Sequence, residues 1–232
     1  MRTARWLGIE PLGRLAGLVA LPLLALGLYL SLVWAPPDAM MGNLQRIMYV
    51  HFPSWIATAL AYLTAFVCSL LYLARRRATF DHLALAGVEV GVLFNTTGLI
   101  TGSIWGRHTW GVWWTWDPRL TTTAIMLLIF VGYLLVRAFL EDPDARARVG
   151  ALVAIVGFVT VPIVYFSVRW WRTLHQPQSS PSTVAPEMVV ALRTMMVAFA
   201  LGAYYLMSRR YELARLDAAA EQLEVEPGVG NP

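Results

Sequence analysis

The chain has 232 residues, 58% of them hydrophobic and 14% charged, with a formal net charge of +4 and a mean hydropathy of +0.57. An average soluble domain is about a quarter charged, so an ordinary water-soluble globule is excluded. The positive balance is no nucleic-acid signature, because all 18 basic residues are arginines, set in small groups near the ends of apolar runs in the manner of membrane topology signals.

A membrane span needs about 20 mainly apolar residues. Six runs qualify: 15–34, 54–74, 83–105, 120–140, 149–168 and 188–207. The expected fold is an all-α integral membrane protein. A single six-transmembrane-helix bundle occupies 1–207, with a tail over 208–232 and no room for a separate soluble catalytic domain. The first run is too long for a signal peptide, and Trp34 and Pro36 spoil a small-residue cleavage site, so it is read as a retained helix.

The arginines divide between two faces. Arg2, Arg5, Arg14, Arg75, Arg76, Arg77, Arg137, Arg146, Arg148, Arg209, Arg210 and Arg215 fall on one, and Arg46, Arg107, Arg119, Arg169, Arg172 and Arg193 on the other. Twelve against six predicts that both termini are cytoplasmic. The segments 35–53, 106–119 and 169–187 then share the outer face, and they hold most of the unusual chemistry.

The first outer segment carries Arg46 and His51, the latter in Met-Tyr-Val-His-Phe-Pro. The second span contains Cys68, the single cysteine, so no intrachain disulfide and no Cys-x-x-Cys-His haem attachment exists. His82, beside Asp81, reads as a cytoplasmic surface residue. Glu89 and Asn95 lie in the third span. Glu89 is expected to serve bundle packing, with protonation or a partner subunit as alternatives, and not to pair with Arg193 near the opposite face. Gly87, Gly91, Gly98 and Gly102 follow a helical spacing that suits close helix contact.

The second outer segment contains Trp110, Trp113, Trp114, Trp116 and Asp117. Ten tryptophans are present, and an interfacial belt accounts for Trp34, Trp55, Trp105, Trp170 and Trp171. Four in seven residues is too dense for anchoring. As a short interfacial helix, this stretch would put Trp110, Trp113, Trp114 and Asp117 on one face, a flat aromatic shelf for a large planar apolar ligand. Asp117 before Pro118 also reads as a helix N-cap, a role compatible with the first.

The third outer segment brings His175, in Trp-Trp-Arg-Thr-Leu-His-Gln-Pro. His51 and His175 are thus level with the tryptophans, and two neutral imidazoles can supply both axial ligands of a haem iron. His108 is the reserve candidate. Haem propionates need cations, for which Arg46, Arg119 and Arg193 are placed; for Arg193 inside the sixth span, snorkelling is the plainer role. The tail from about Ser208 continues as a polar helix. Its end, with Glu224, Glu226 and a Pro/Gly run, has a disordered composition.

The segment Thr101-Gly-Ser-Ile-Trp-Gly, running on to Trp110-Gly-Val-Trp-Trp-Thr-Trp-Asp-Pro-Arg-Leu-Thr, closely resembles the WWD signature of haem-handling membrane proteins. Tyr-Val-His-x-Pro and Trp-Trp-x-Thr-Leu-His-Gln narrow the resemblance to the CcmC family of cytochrome c maturation, and it covers the whole chain. It implies that His51 and His175 are the axial ligands of a non-covalent haem b, and that Trp110, Trp113, Trp114, Trp116 and Asp117 form the signature. It implies roles in haem handling for Arg46 and Arg119, and none for Arg193. Pro118 departs from the family pattern, where a small residue is expected. The resemblance further implies a bacterial inner membrane, delivery of haem to the periplasmic chaperone CcmE, help from the small protein CcmD, and work alongside the ABC transporter pair CcmA and CcmB. An enzyme is not implied. Two other readings stay open: a bis-histidine electron-transfer cytochrome b, and a haem permease. With no Lys, the chain has no Gly-x-x-x-x-Gly-Lys-[Ser/Thr] motif and cannot drive export itself. The larger WWD haem lyases need more residues than this chain has.

Overall fold

The computed structural model describes residues 9–175 and 184–225. They form helices and turns, with no strand among the described residues. In chain order these are α1 (Ile9–Tyr29), α2 (Met48–Arg75), α3 (Ala78–Trp110), α4 (Pro118–Phe139), α5 (Pro143–Phe158), α6 (Thr160–Trp170) and α7 (Pro186–Val225). A π-helical turn, Leu30–Trp34, prolongs α1, and a 3-10 turn, Asn43–Ile47, leads into α2. Joined in this way they make six units long and apolar enough to cross a membrane: Ile9–Trp34, Asn43–Arg75, Ala78–Trp110, Pro118–Phe139, Pro143–Trp170 and Pro186–Glu221. Each expected run falls on one of them. The protein is a multi-pass, all-α membrane protein.

Several helix ends follow from local sequence. Pro162 cannot donate to the Phe158 carbonyl, and its ring crowds that oxygen. The fifth span accordingly breaks between α5 and α6, where Thr160 Oγ1 donates to Gly157 O at 2.6 Å. At the end of the first span, Pro36 and Pro37 have no N–H for the last helical carbonyls. Arg46 takes over: its guanidinium donates to Ser31 O and, at 3.2 Å, to Ala35 O, while Nε donates to Asn43 Oδ1 at 3.0 Å. Arg46 thus pins the end of the first span to the start of the second.

The most extensive pairings are α2 with α3 and α1 with α7. The glycine series on α3 is the α2 seam. A Cβ on Gly87 would meet Ala61 and Ala65, one on Gly91 the Tyr62 ring, one on Gly98 the Trp55 ring at 2.8 Å, and one on Gly102 the His51 ring at 2.9 Å. Beside the seam, Tyr62 stacks on Phe130 of α4 with centroids 3.6 Å apart, in a core with Val88, Met126, Tyr133 and Ala154. Asn95 donates to Tyr62 Oη at 3.3 Å.

Towards the arginine-rich end, charge is paired between helices. Arg137 of α4 grips Asp81 of α3 through two bonds of 2.6 and 2.9 Å. Glu89 is not left to packing: Arg210 of α7 holds both its oxygens, the second at 2.7 Å. His82, expected at the surface, is half-buried beside Asp81, and its Nδ1 is enclosed. The polar helix expected beyond Ser208 is present as an unbroken continuation of α7 to Val225, with Tyr211 and Ala214 buried. Glu226 and the Pro/Gly run after it lie outside the described residues. Arg193 is exposed on α7.

Candidate functional site

The opposite end of the bundle carries the tryptophans. α3 stops at Trp110 because Gly111 adopts a left-handed conformation, φ 80°, which glycine enters without a Cβ penalty. The helical face expected over Trp110–Asp117 is therefore corrected. Residues 111–117 form a non-helical loop, and the regular spacing of the indoles did not itself make a helix. The loop folds back on α3, with Ser103 Oγ donating to Trp113 O at 2.6 Å. Trp113, Trp114 and Trp116 are exposed, Trp116 by 81%. Trp114 and Trp116 meet edge to face at 5.8 Å. Trp170 and Trp171, which end α6, are also exposed and touch edge to face. The aromatic surface exists, but a loop and several helix ends build it.

Asp117 is buried and closes that loop. Its Oδ1 accepts from Arg119 N at 2.9 Å, which makes it the N-cap of α4, with Pro118 as first helical residue. The same oxygen lies 3.1 Å from His175 Nδ1. Oδ2 accepts from Thr173 Oγ1 at 2.6 Å and from Leu174 N at 2.7 Å. One carboxylate thus joins the start of α4 to the segment after α6. Burial pulls its ionisation upward, but the Thr173, Leu174 and Arg119 donors win and hold it below the usual carboxylate range. An ionised carboxylate only accepts, so His175 carries its proton on Nδ1 and Nε2 keeps the lone pair. The Trp110 ring stands edge-on to this imidazole at 5.0 Å. Burial holds His175 below its ordinary value, against the pull of Asp117, so the ring is neutral at pH 7.

His51 sits in the first turn of α2, against Gly102. Its Nε2 accepts from Trp55 Nε1 at 3.1 Å. An indole N–H only donates, so the His51 proton is on Nδ1. That nitrogen faces Thr101 Oγ1 at 3.1 Å, and Thr101 passes its own proton to Thr97 O at 2.7 Å. Trp55 and Trp105 both stand edge-on to the imidazole with centroids 5.8 Å away. Arg119 is near enough for its charge to act on His51 and His175, and the two imidazoles are within Coulombic reach of each other. Arg46 spends its side chain on the Ser31 and Ala35 carbonyls and Asn43. His108 is exposed, its Nδ1 2.9 Å from Ile104 O of its own helix.

The family model "CcmC: Heme exporter protein C" matches residues 8–225. The chain belongs to the CcmC family. Among its CcmC relatives is a "Heme exporter protein C" of Bradyrhizobium diazoefficiens, 37% identical over 183 residues, which are 77% of this chain and 69% of that one. One from Haemophilus influenzae is 34% identical over 78% of this chain and 74% of its own. One from Escherichia coli strain K12 is 32% identical over 72% and 69%. The resemblance read from the WWD-like segment is thus borne out for the chain as a whole.

Within this CcmC chain the sequence singled out both histidines and the tryptophans. It read Trp55 only as a membrane anchor and Gly102 only as a helix-contact glycine, and it gave Thr101 and Thr173 no role of their own. The Trp55 signal was available as the i, i+4 spacing from His51, which puts two side chains on one helical face. Thr173 and Thr101 had no signal beyond their nearness to His175 and to the signature.

Proposed function

We propose that this chain binds haem as cargo at the tryptophan end of the bundle, with His51 and His175 as axial ligands, and hands it to the chaperone CcmE. Family membership carries the broader role, haem handling in cytochrome c biogenesis. The observation behind the finer reading is the shared end of two neutral imidazoles from distant parts of the chain, each with its proton on Nδ1. That tautomer leaves Nε2 as the ligating nitrogen in both, and a carboxylate behind a ligating histidine is the usual device for fixing it.

The surrounding residues fit a haem b. Exposed Trp113, Trp114 and Trp116 offer apolar aromatic surface for stacking a planar macrocycle. Arg119 is the cation best placed for a propionate, since its charge acts at both imidazoles. Arg46 has two N–H groups beyond its three bonds to the α1 end and can supply a second contact. Asp117 holds the His175 ring in orientation and raises its basicity. Six-coordinate ligation keeps other ligands off the iron, which suits storage and delivery without turnover, so the chain acts as a carrier and not an enzyme. Both histidines lie at element ends beside exposed indoles, where a cargo can leave; an electron carrier is better served inside the bundle. The arginine bias favours a bacterial inner membrane with both termini cytoplasmic and this site periplasmic. There the chain would meet CcmE, with CcmD, CcmA and CcmB as membrane partners.

The test is the absorption spectrum of the detergent-purified protein, oxidised and reduced, beside His51→Ala and His175→Ala. A low-spin b-type spectrum that becomes high-spin or disappears in each variant supports the reading. A wild type that takes up no haem, or variants that keep the low-spin spectrum, would overturn it.

A further inference from the structure

The two imidazoles are held in different ways. The partner of His175 is a carboxylate behind Nδ1, which leaves its Nε2 facing away from the restraint. The partner of His51 is the Trp55 indole, and it sits on Nε2 itself. Every other group around His51 reinforces that choice. Thr101 receives the Nδ1 proton, Gly102 lets the ring lie against α3, and Trp105 closes the other edge without a bond to it. A lone pair that accepts an N–H cannot at the same time ligate a metal.

We propose that Trp55 is a positioning residue that competes with iron for His51 Nε2, making His51 the exchangeable axial ligand and His175 the resident one. This rests on the bis-histidine reading above. Trp55 and His51 lie one helical turn apart on α2, which keeps the indole N–H within reach of Nε2 whenever the iron is not on it. When His51 leaves the iron, Trp55 captures its lone pair and opposes religation. Haem is thereby freed on the His51 side while the Asp117-backed His175 still holds it. The geometry orders the release: the His51 bond breaks first, and an acceptor's own ligand enters on that side.

The decisive variant is Trp55→Phe, which keeps a ring against Gly98 and removes the N–H. Two measurements apply. One is the rate of His51 carbethoxylation by diethyl pyrocarbonate in protein without haem, read by mass spectrometry with His175 as internal reference. The other is haem dissociation to excess apomyoglobin, followed by absorption. Loss of one neutral hydrogen bond predicts about three- to ten-fold faster modification of His51 alone, and haem dissociation slower by a similar factor. Trp105→Phe trims the other edge contact on the same ring but breaks no bond to it, and separates packing from hydrogen bonding. Equal effects in the two variants, or no change in Trp55→Phe while the wild type shows bis-histidine haem, overturn the proposal alone. A wild type that binds no haem, or binds it without His51, overturns the site reading and this proposal together.

Discussion

The Asp117 carboxylate receives four donors from two segments, so its substitutions separate capping from support of His175. Asparagine caps helices about as well as aspartate. Asp117→Asn should therefore fold with α4 intact. Its carbonyl oxygen can still accept from Arg119 N and His175 Nδ1 but carries no charge, and its amide nitrogen cannot accept from Thr173 and Leu174, so the His175 ring loses its anionic, firmly held partner. Losing such a partner behind a ligand typically costs about 10- to 100-fold in metal affinity. Haem titration of the variant should show that loss with unchanged helical circular dichroism; unchanged affinity would remove Asp117 from the site. The same residues set a pH dependence. Burial depresses the ionisation of His175 below about 6.5, its ordinary value. A depressed value means that the folded site favours the neutral ring. Its contribution is complete above the ordinary value and is lost as pH falls through the folded one. Asp117 is also depressed, so it stays ionised throughout that range. The low-spin spectrum should persist through pH of about 6.5 and fade only below it. A midpoint at or above that value would contradict the burial argument.

At the level of elements, the α2–α3 seam carries His51. Gly102→Ala would put a methyl 2.9 Å from the His51 Cε1, and the imidazole must shift. The expected result is weakened low-spin ligation with little change in folding. Gly132 on α4 has open space where a Cβ would go, so Gly132→Ala should leave the spectrum unchanged and stabilise the helix by about 0.5–1 kcal/mol. Parallel spectra and unfolding midpoints of the two variants check both statements, and an unaltered spectrum in Gly102→Ala would show that the seam does not set the ring's position. The six spans were legible in the sequence because an apolar run of sufficient length has few alternatives in lipid. The glycine spacing announced a close contact but not its partner, since the sequence holds no record of which helix lies opposite. Over Trp110–Asp117 helical periodicity misled. The spacing matched a helix face, yet Gly111 ended α3 and the capping preference of Asp117 began the next helix. Two terminus signals within a few residues outrank a periodicity spread over two turns.

Across the whole molecule the ends do different work. The tryptophan end gathers His51, His175 and exposed indoles, whereas the pairs Asp81–Arg137 and Glu89–Arg210 tie α3 to α4 and to α7. Their partners were not legible, because Arg137 and Arg210 lie 56 and 121 residues beyond the carboxylates they meet. Both side chains of the first pair are almost wholly buried, at 9% and 12% exposure. A buried pair of this kind often contributes little net stability over well-packed apolar residues, but removing one partner strands the other. Asp81→Asn should therefore destabilise the fold by about 3–5 kcal/mol, because the Arg137 guanidinium keeps its charge without its counterion. Arg137→Met alone should cost less than that if Asp81 can take up a proton, which arginine cannot give up. The double variant should recover most of the loss. A double-mutant cycle of unfolding midpoints in mixed detergents measures the coupling. The haem spectrum should stay low-spin in every variant that folds, because neither residue touches either histidine or their hydrogen-bonding partners. Near-additive losses in the cycle would mean that the pair is no unit. A spectrum that changes in step with stability would mean that the charged pair and the tryptophan end are coupled through α3 and α4, the two helices that meet in the signature loop.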